Sequence, residues 1–516
     1  MNRKKICVFF FISSLFATPG KSFLSLRPSF EAGSTERFLV DHLMQKQKYE
    51  GNHFFNLVPL FNATTKPKEL GSYFLPTTCN CMAIAEDNAD ITRDINANYL
   101  GIISVPLADK TGTEVLNLIE EMTYASTLSL CPKRKEYGLG ILYRYSIPEA
   151  CWFDISTVAS QIKQNLKACE SISNAGGTGP NGIGSPTLAT SMCNSTSFNY
   201  GKITNQELTK SGISQVELRI GKTSFNETRH LTGYFGLDIP TGEKPCQKYL
   251  FEPVIGNNKH VGLFLGIEGT QNLVTHHDTT FNLSCDMLLR SLFSNNQLRS
   301  FDLKNRPWSR YLIIWNSNDA LSNPASATNV TNAFDQTDYL INYSTLWTTV
   351  SPKFQFDAQC ALDFNKKNWH LELGYHFFTK QKEKLCINGC FDKNLGISAF
   401  AHYLRRWSIN DNTPVTRSFN TINGATFAAQ PDVVDYTYDA SEGTFSTNYT
   451  ELTVCDLDPD SAATPAQMIH TIYGSMGYTC NYTIPFILNL AASYDMSTNN
   501  HAPHKWNIWF QLGVNF

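Results

Sequence analysis

Apolar residues recur at every second position through much of this chain, most clearly at its end. Trp506, Ile508, Phe510, Leu512, Val514 and Phe516 share one parity, and Lys505, Asn507, Trp509, Gln511, Gly513 and Asn515 share the other. A period of two places the sets on opposite faces of a strand. Upstream, Phe486, Leu488, Leu490, Ala492 and Tyr494 alternate with Asn489, Ala491, Ser493 and Asp495, and the polar stretch Met496 to His504 joins the two runs. The pattern predicts a hairpin with a longish loop.

The same alternation predicts further strands at His53–Asn62, Tyr137–Ile147, Ile213–Lys222, Leu231–Ile239, Val261–Leu273 and Thr279–Leu289. Phe354–Phe377 reads as an interior hairpin around Asn365 to Asn368, with Phe364 and Trp369 flanking the turn. Weaker strand signals lie at Tyr311–Trp315, Ile397–Tyr403, Leu452–Val454 and Met468–Tyr478. Glu114–Met122 reads as a short amphipathic helix. Ser171–Ser197, Ser317–Asp338 and Asn410–Asp439 are polar loops rich in Gly, Ser, Asn or Thr. No internal repeat at a fixed period emerges.

A large aromatic-rich face that runs to the final residue suits a wall with lipid outside and water inside. A chain ending on Phe516 in such a strand resembles the Gram-negative outer-membrane β-barrels, in the broad porin or channel-like class, whose terminal Phe serves as an assembly signal. The resemblance implies an all-β fold: a single closed antiparallel transmembrane β-barrel of about 12–16 strands with long polar loops, the strand number being even. It also implies residence in the bacterial outer membrane and contact with lipid, the outer-membrane assembly machinery, and small solutes or ions. The competing reading of the alternation is a secreted soluble β-rich glycoprotein.

Composition is compatible with the barrel. The chain has 516 residues, a net charge of −3, 12% aromatic residues and only 17% charged residues. A wall facing lipid has few places for charge, and nothing basic enough is present to suggest nucleic acid. Arg3, Lys4 and Lys5 precede the apolar run Ile6 to Phe16, which reads as a signal peptide ending by residue 22. Residues 23–52 read as an exposed N-terminal lead-in and 53–516 as the barrel. Within the barrel, 80–130 serves as a plug, a periplasmic insert or a long loop. Beyond the leader no run approaches the ~20 apolar residues of a membrane helix.

Of 14 cysteines, Cys7 falls in the leader. Cys79 with Cys81 and Cys386 with Cys390 are close pairs lacking a zinc-type complement, so loop disulfides or buried free thiols are expected. Cys285 and Cys360 fall on apolar strand faces, where they act as small hydrophobes. Eight Asn-x-Ser/Thr sequons are present, among them Asn194, Asn226, Asn448 and Asn481; in a chain this rich in Asn and Thr many arise by chance.

Candidate lumen-lining residues are Glu217, Arg219, Asp286, Arg290, Asp357, Asp363, His370, Glu372 and His376. Candidate lipid-facing residues are Phe354, Phe364, Trp369, Leu373, Phe377, Trp506, Phe510 and Phe516. The polar set suits an aqueous lining, and the same residues suit an ion-pair network that bolts a filled barrel. His276, His277 and Asp278 read as a solvated turn. His370 and His376 are too far apart on one strand to share a metal. The phosphate-loop, metalloprotease, hydrolase-elbow and dinucleotide motifs are missing, so no cofactor and no enzymatic activity are expected. The functional expectation is a porin-like passive channel, with a structural or adhesive barrel of filled lumen as the alternative.

Overall fold

Twelve strands close into one antiparallel barrel. The computed structural model describes residues 20–45, 53–77, 79–85, 95–96, 124–147, 150–175, 198–226, 228–311, 313–317, 337–397, 436–439, 444–447, 450–480 and 485–516. Residues 1–19 of the expected leader, the helix expected at Glu114–Met122 and most of three polar loops lie outside these residues.

The barrel strands are β1 (His53–Thr64), β2 (Lys133–Ile147), β3 (Cys151–Asn165), β4 (Leu208–Phe225), β5 (Arg229–Pro240), β6 (Gly262–His276), β7 (Thr279–Leu292), β8 (Lys353–Lys366), β9 (Trp369–Lys380), β10 (Gln467–Cys480), β11 (Phe486–Ser497) and β12 (Lys505–Asn515). Each pairs with the next in sequence, and β1 closes the ring by pairing with both β2 and β12. The seam is sealed where the His53 amide donates to the Phe516 carbonyl at 2.9 Å and the Phe516 amide donates back at 3.0 Å. Closure removes every free strand edge, which is what allows strands to cross a bilayer.

Sequence alternation and burial coincide on the wall. Leu373 is 63% exposed, Phe516 61%, Trp369 55%, Phe354 50% and Phe510 39%, while Phe364, Phe377 and Trp506 are partly exposed. Leu265, Ile267, Met287, Leu362, Leu490 and Ile508 continue the apolar surface around the ring. Aromatic pairs mark both rims. At the short-turn rim Phe281 meets Phe364 (4.9 Å) and Trp369 meets Tyr478 (5.0 Å). At the other, Phe61 sits between Tyr137 (4.8 Å) and Trp506 (5.0 Å). An apolar belt between two aromatic girdles is the surface of a membrane-spanning wall.

The two ends differ. Connections at the end holding His53 and Phe516 are two to five residues long (148–150, 226–228, 277–278, 367–368 and 481–485). At the opposite end, residues 65–132, 166–207, 241–261, 293–352 and 381–466 form long connections. The described residues among these fold into a cap with its own core. Leu70, Tyr73 and Phe74 of helix α2 (Pro67–Phe74) pack with Leu128, Phe198, Phe251, Phe301, Trp308, Tyr311, Leu340, Leu395 and Leu457. Trp308 Nε1 donates to the Phe74 carbonyl at 2.6 Å, so the buried indole N–H is satisfied.

The lead-in reading is corrected. Residues 20–44 are not an exposed entry: they run through the lumen, and helix α1 (Thr35–Gln45) lies inside the barrel. Phe30, Phe38, Leu39, Val40, Leu43 and Met44 are buried with Val58, Leu142, Val158, Tyr473 and Trp509 of the wall. Charge in this segment suggested solvent exposure; the wall supplies the opposite charges instead. Most of residues 80–130, read as a plug, a periplasmic insert or a long loop, lies outside the described residues.

The inner face is polar but also carries bulky side chains. Trp152, Tyr234, Phe264, Leu288, Tyr473 and Trp509 all point inward and are buried. Room for several of them comes from glycines directly opposite on the paired strand. A Cβ at Gly374 would lie 2.3 Å from Tyr473 Cζ, and one at Gly266 would lie 2.1 Å from Tyr234 Cζ.

Candidate functional site

The lumen is where side-chain chemistry concentrates, and the N-terminal strap organises it. The strap is clasped by the cap first. Gly20 and Lys21 amides donate to the Leu75 and Tyr73 carbonyls (2.9 and 3.0 Å), and the Ser22 amide donates to Ser461 (3.0 Å). It then descends toward the short-turn end, meeting three charged clusters in succession.

The upper cluster holds Arg27. Its Nη1 lies 2.7 Å from Asp357 Oδ1, which also meets His376 Nε2 at 2.9 Å. Arg27 additionally pairs with Glu31 four residues along and stands 4.6 Å above the Phe378 ring. Beside it, Arg290 Nη1 meets Glu31 Oε2 at 2.7 Å, Nη2 meets Glu217 Oε1 at 3.1 Å and Nε meets Asp238 Oδ2 at 3.0 Å. Glu217 also accepts the Ala32 amide at 3.0 Å, so a wall carboxylate holds the strap backbone directly.

The middle cluster joins α1 to the wall. Arg219 Nη2 lies 2.8 Å from Asp41 Oδ1 and 2.7 Å from Asp154 Oδ2. Arg144 Nη2 lies 2.7 Å from both Asp41 Oδ1 and Asp154 Oδ2, and Arg37 Nη2 reaches Asp154 Oδ2 at 3.1 Å. Arg144 also stacks 4.0 Å over Trp152. Three guanidinium groups thus share two carboxylates, a dense charge-assisted array that fixes position more than it adds stability.

The lower cluster surrounds His42. Its Nδ1 lies 3.0 Å from Glu372 Oε2 and its Nε2 3.0 Å from Ser284 Oγ. Glu372 also accepts Tyr473 OH at 3.0 Å. A serine, histidine and carboxylate at these spacings have the form of a nucleophilic relay. Here Ser284 and His42 are buried, and Ser284 Oγ also meets Thr270 Oγ1 at 3.0 Å. The arrangement as it stands fastens the end of α1.

Every candidate lining residue is at most 5% exposed. The structure joins Glu217 with Arg290, Asp357 with His376, and Glu372 with His42, and it places Arg219 in the middle array. Asp286 accepts Tyr234 OH at 2.9 Å, Asp363 accepts Asn282 Nδ2 at 3.0 Å, and His370 lies over Gly477 near the short-turn end. Glu372 faces His42 and Tyr473, so a cation there would meet an imidazole and a buried hydroxyl donor. Missed altogether were the strap partners Arg27, Glu31, Arg37, Asp41 and His42, and the wall residue Asp154. The Arg37 and Asp41 spacing of four was a legible helical pair, but its target on β3 was not.

Free space along the strap is small. Three cavities lined in common by Leu26, Arg27 and Pro28 offer about 60, 20 and 20 Å³, room for a few waters. The first has Arg134, Glu136, Asp495 and Lys505 on its walls, among apolar residues such as Phe378 and Ile469.

No family model matches the chain, and no curated protein matches it. Among solved structures it is similar to an outer membrane channel of Pseudomonas putida F1, with 9% identity over 91% of this chain and 97% of that one and a TM-score of 0.36. It is also similar to the transport unit of an Escherichia coli autotransporter (7% identity, 95% and 99% covered, TM-score 0.28) and to a Pseudomonas aeruginosa FadL homologue (6%, 90% and 90%, 0.26).

Proposed function

We propose that the chain is a bacterial outer-membrane channel that its own N-terminal segment holds closed. The observation that carries this is how the strap is tied: beside the apolar contacts of Phe30, Phe38 and Leu43, clustered ion pairs join it to the wall. Buried ion pairs add little net stability but demand one geometry. A segment kept by such pairs is well positioned, and water entering the lumen can solvate both of its halves on release. A permanently filled barrel would be served as well by aliphatic packing.

Short turns at the end holding Phe516 and long connections at the other follow the usual orientation of bacterial barrels, with the cap outside the cell. Small hydrophilic solutes are the class that a lumen lined by Arg, Asp and Glu admits once the strap moves aside. Catalysis has no part in this reading, because Ser284 and His42 are sealed. The cap core around Trp308 favours a second reading, a surface-exposed barrel with a permanently filled lumen.

Liposome swelling separates the two. Vesicles carrying an Asp41→Ala, Arg37→Ala double variant should swell in sugars of low mass faster than vesicles carrying the parent chain. Equal, negligible swelling from a correctly folded variant supports the filled barrel and removes the channel.

A further inference from the structure

Outside the lumen, the cap carries a pair of thiols that the channel reading does not use. Cys79 and Cys81 flank Asn80 after helix α2, and Cys81 opens the short strand Cys81–Ala85. Their sulfurs are 2.9 Å apart. Two thiolates on one tetrahedral zinc, each about 2.3 Å from the ion, sit about 3.8 Å apart. A disulfide bond is about 2.05 Å long. The observed spacing is too short for a shared metal and needs about 0.9 Å of approach to become a covalent bond.

We propose that Cys79 and Cys81 form a dithiol–disulfide site on the cap that exchanges with external disulfides. Cys79 is exposed and Cys81 is partly covered, which makes Cys79 the sulfur an outside partner meets first. Partial burial of Cys79 opposes its thiolate, but its sulfur contacts with Cys81 and Thr77 outweigh this and lower its pKa; the same contact raises that of Cys81. The thiolate is the attacking species in exchange.

The chemistry balances with an external disulfide as oxidant. Cys79 thiolate attacks one sulfur of that disulfide, forming a mixed disulfide and releasing one thiolate. Cys81, after losing its proton to solvent, attacks the Cys79 sulfur and releases the second. Two protein thiols and one external disulfide become one protein disulfide and two external thiols. Asn80 holds the turn in place: its carbonyl accepts the Leu130 amide at 3.0 Å. Its side-chain Nδ2 lies 3.7 Å from Cys131 Sγ, so a third thiol stands beside the pair.

The test uses the full chain in detergent micelles or vesicles, fully reduced and then incubated with oxidised glutathione. Free thiols are blocked with N-ethylmaleimide, and peptide masses are read before and after reduction. The expected product is an internal Cys79–Cys81 disulfide, two hydrogens lighter than the dithiol. In Cys81→Ser the reaction should stop at a glutathione adduct on Cys79, whereas Cys131→Ser should behave as the parent. Heat-modifiable gel migration confirms that each barrel is folded. Free alkylation of both thiols after the incubation, or pairing of either one with Cys131 or another cysteine, overturns the proposal.

Discussion

At the scale of single residues, the wall is decided by which way each side chain points. Leu373, exposed on β9, and Glu372, buried beside it, are chain neighbours with opposite surroundings. Leu373→Arg places a cation in hydrocarbon and should cost about 2–4 kcal/mol of barrel stability in urea titrations in lipid vesicles. Glu372→Arg should also destabilise, through its contacts with His42 and Tyr473, and not merely alter selectivity. Inside the barrel, shape is as strict as charge. Gly374→Val forces a methyl group into the Tyr473 ring and should cost about 1–3 kcal/mol by the same titration. In the cap, His260 Nδ1 meets the Phe293 carbonyl at 2.7 Å and Nε2 accepts from Gln297 at 2.8 Å, which suits the neutral ring. Burial lowers its pKa to about 4, against the opposing pull of Glu383 and with Arg299 and Lys380 nearby. The unfolded chain takes up this proton below about pH 6.5 and the folded chain does not. Cap stability should therefore be full above that pH and fall by about 3 kcal/mol as pH drops toward 4. His260→Gln should flatten that part of the profile in pH-dependent limited proteolysis.

At the scale of elements, strands with aliphatic outer faces were the most legible. The terminal hairpin and the Phe354–Phe377 hairpin are where the alternation placed them, because lipid demands apolar residues on one parity. Strand β3 was not anticipated. Its outward set includes Thr157, Gln161 and Lys163 and its inward set includes Trp152, Val158 and Ile162, so the two parities differ little in polarity. Tyr311–Trp315 showed the converse. Its apolar run belongs to the cap, where Ile313–Ser317 pairs with Asn394–Ile397 and Thr337–Tyr339 outside the barrel. Helix α1 is amphipathic, with Arg37 and Asp41 on one side and Leu39 and Leu43 on the other, yet both sides are buried, because the wall supplies charges to meet the polar side. Its anchoring makes a sharp prediction. Asp154→Ala leaves Arg37, Arg144 and Arg219 sharing one carboxylate in a buried site, and loss of such a partner costs about 3–5 kcal/mol. Protease cleavage within residues 20–45 should rise in that variant while the outer wall stays intact.

At the scale of the whole molecule, class and membrane-facing surface were readable, and the state of the lumen was not. A list of inward charges is the same whether those charges face water or a threaded segment. What distinguishes the two is long-range pairing such as Arg290 with Glu31 and Arg219 with Asp41, which chain order hides. The wall is thus a transmembrane barrel, the described parts of the long connections cap one end, and residues 20–45 fill the bore. Single-channel recording in planar bilayers tests this most directly, comparing the parent chain with a variant lacking residues 23–45. The account predicts rare, brief openings for the parent and sustained stepwise conductance for the shortened chain. A shortened chain that inserts as a folded barrel yet never conducts would contradict it.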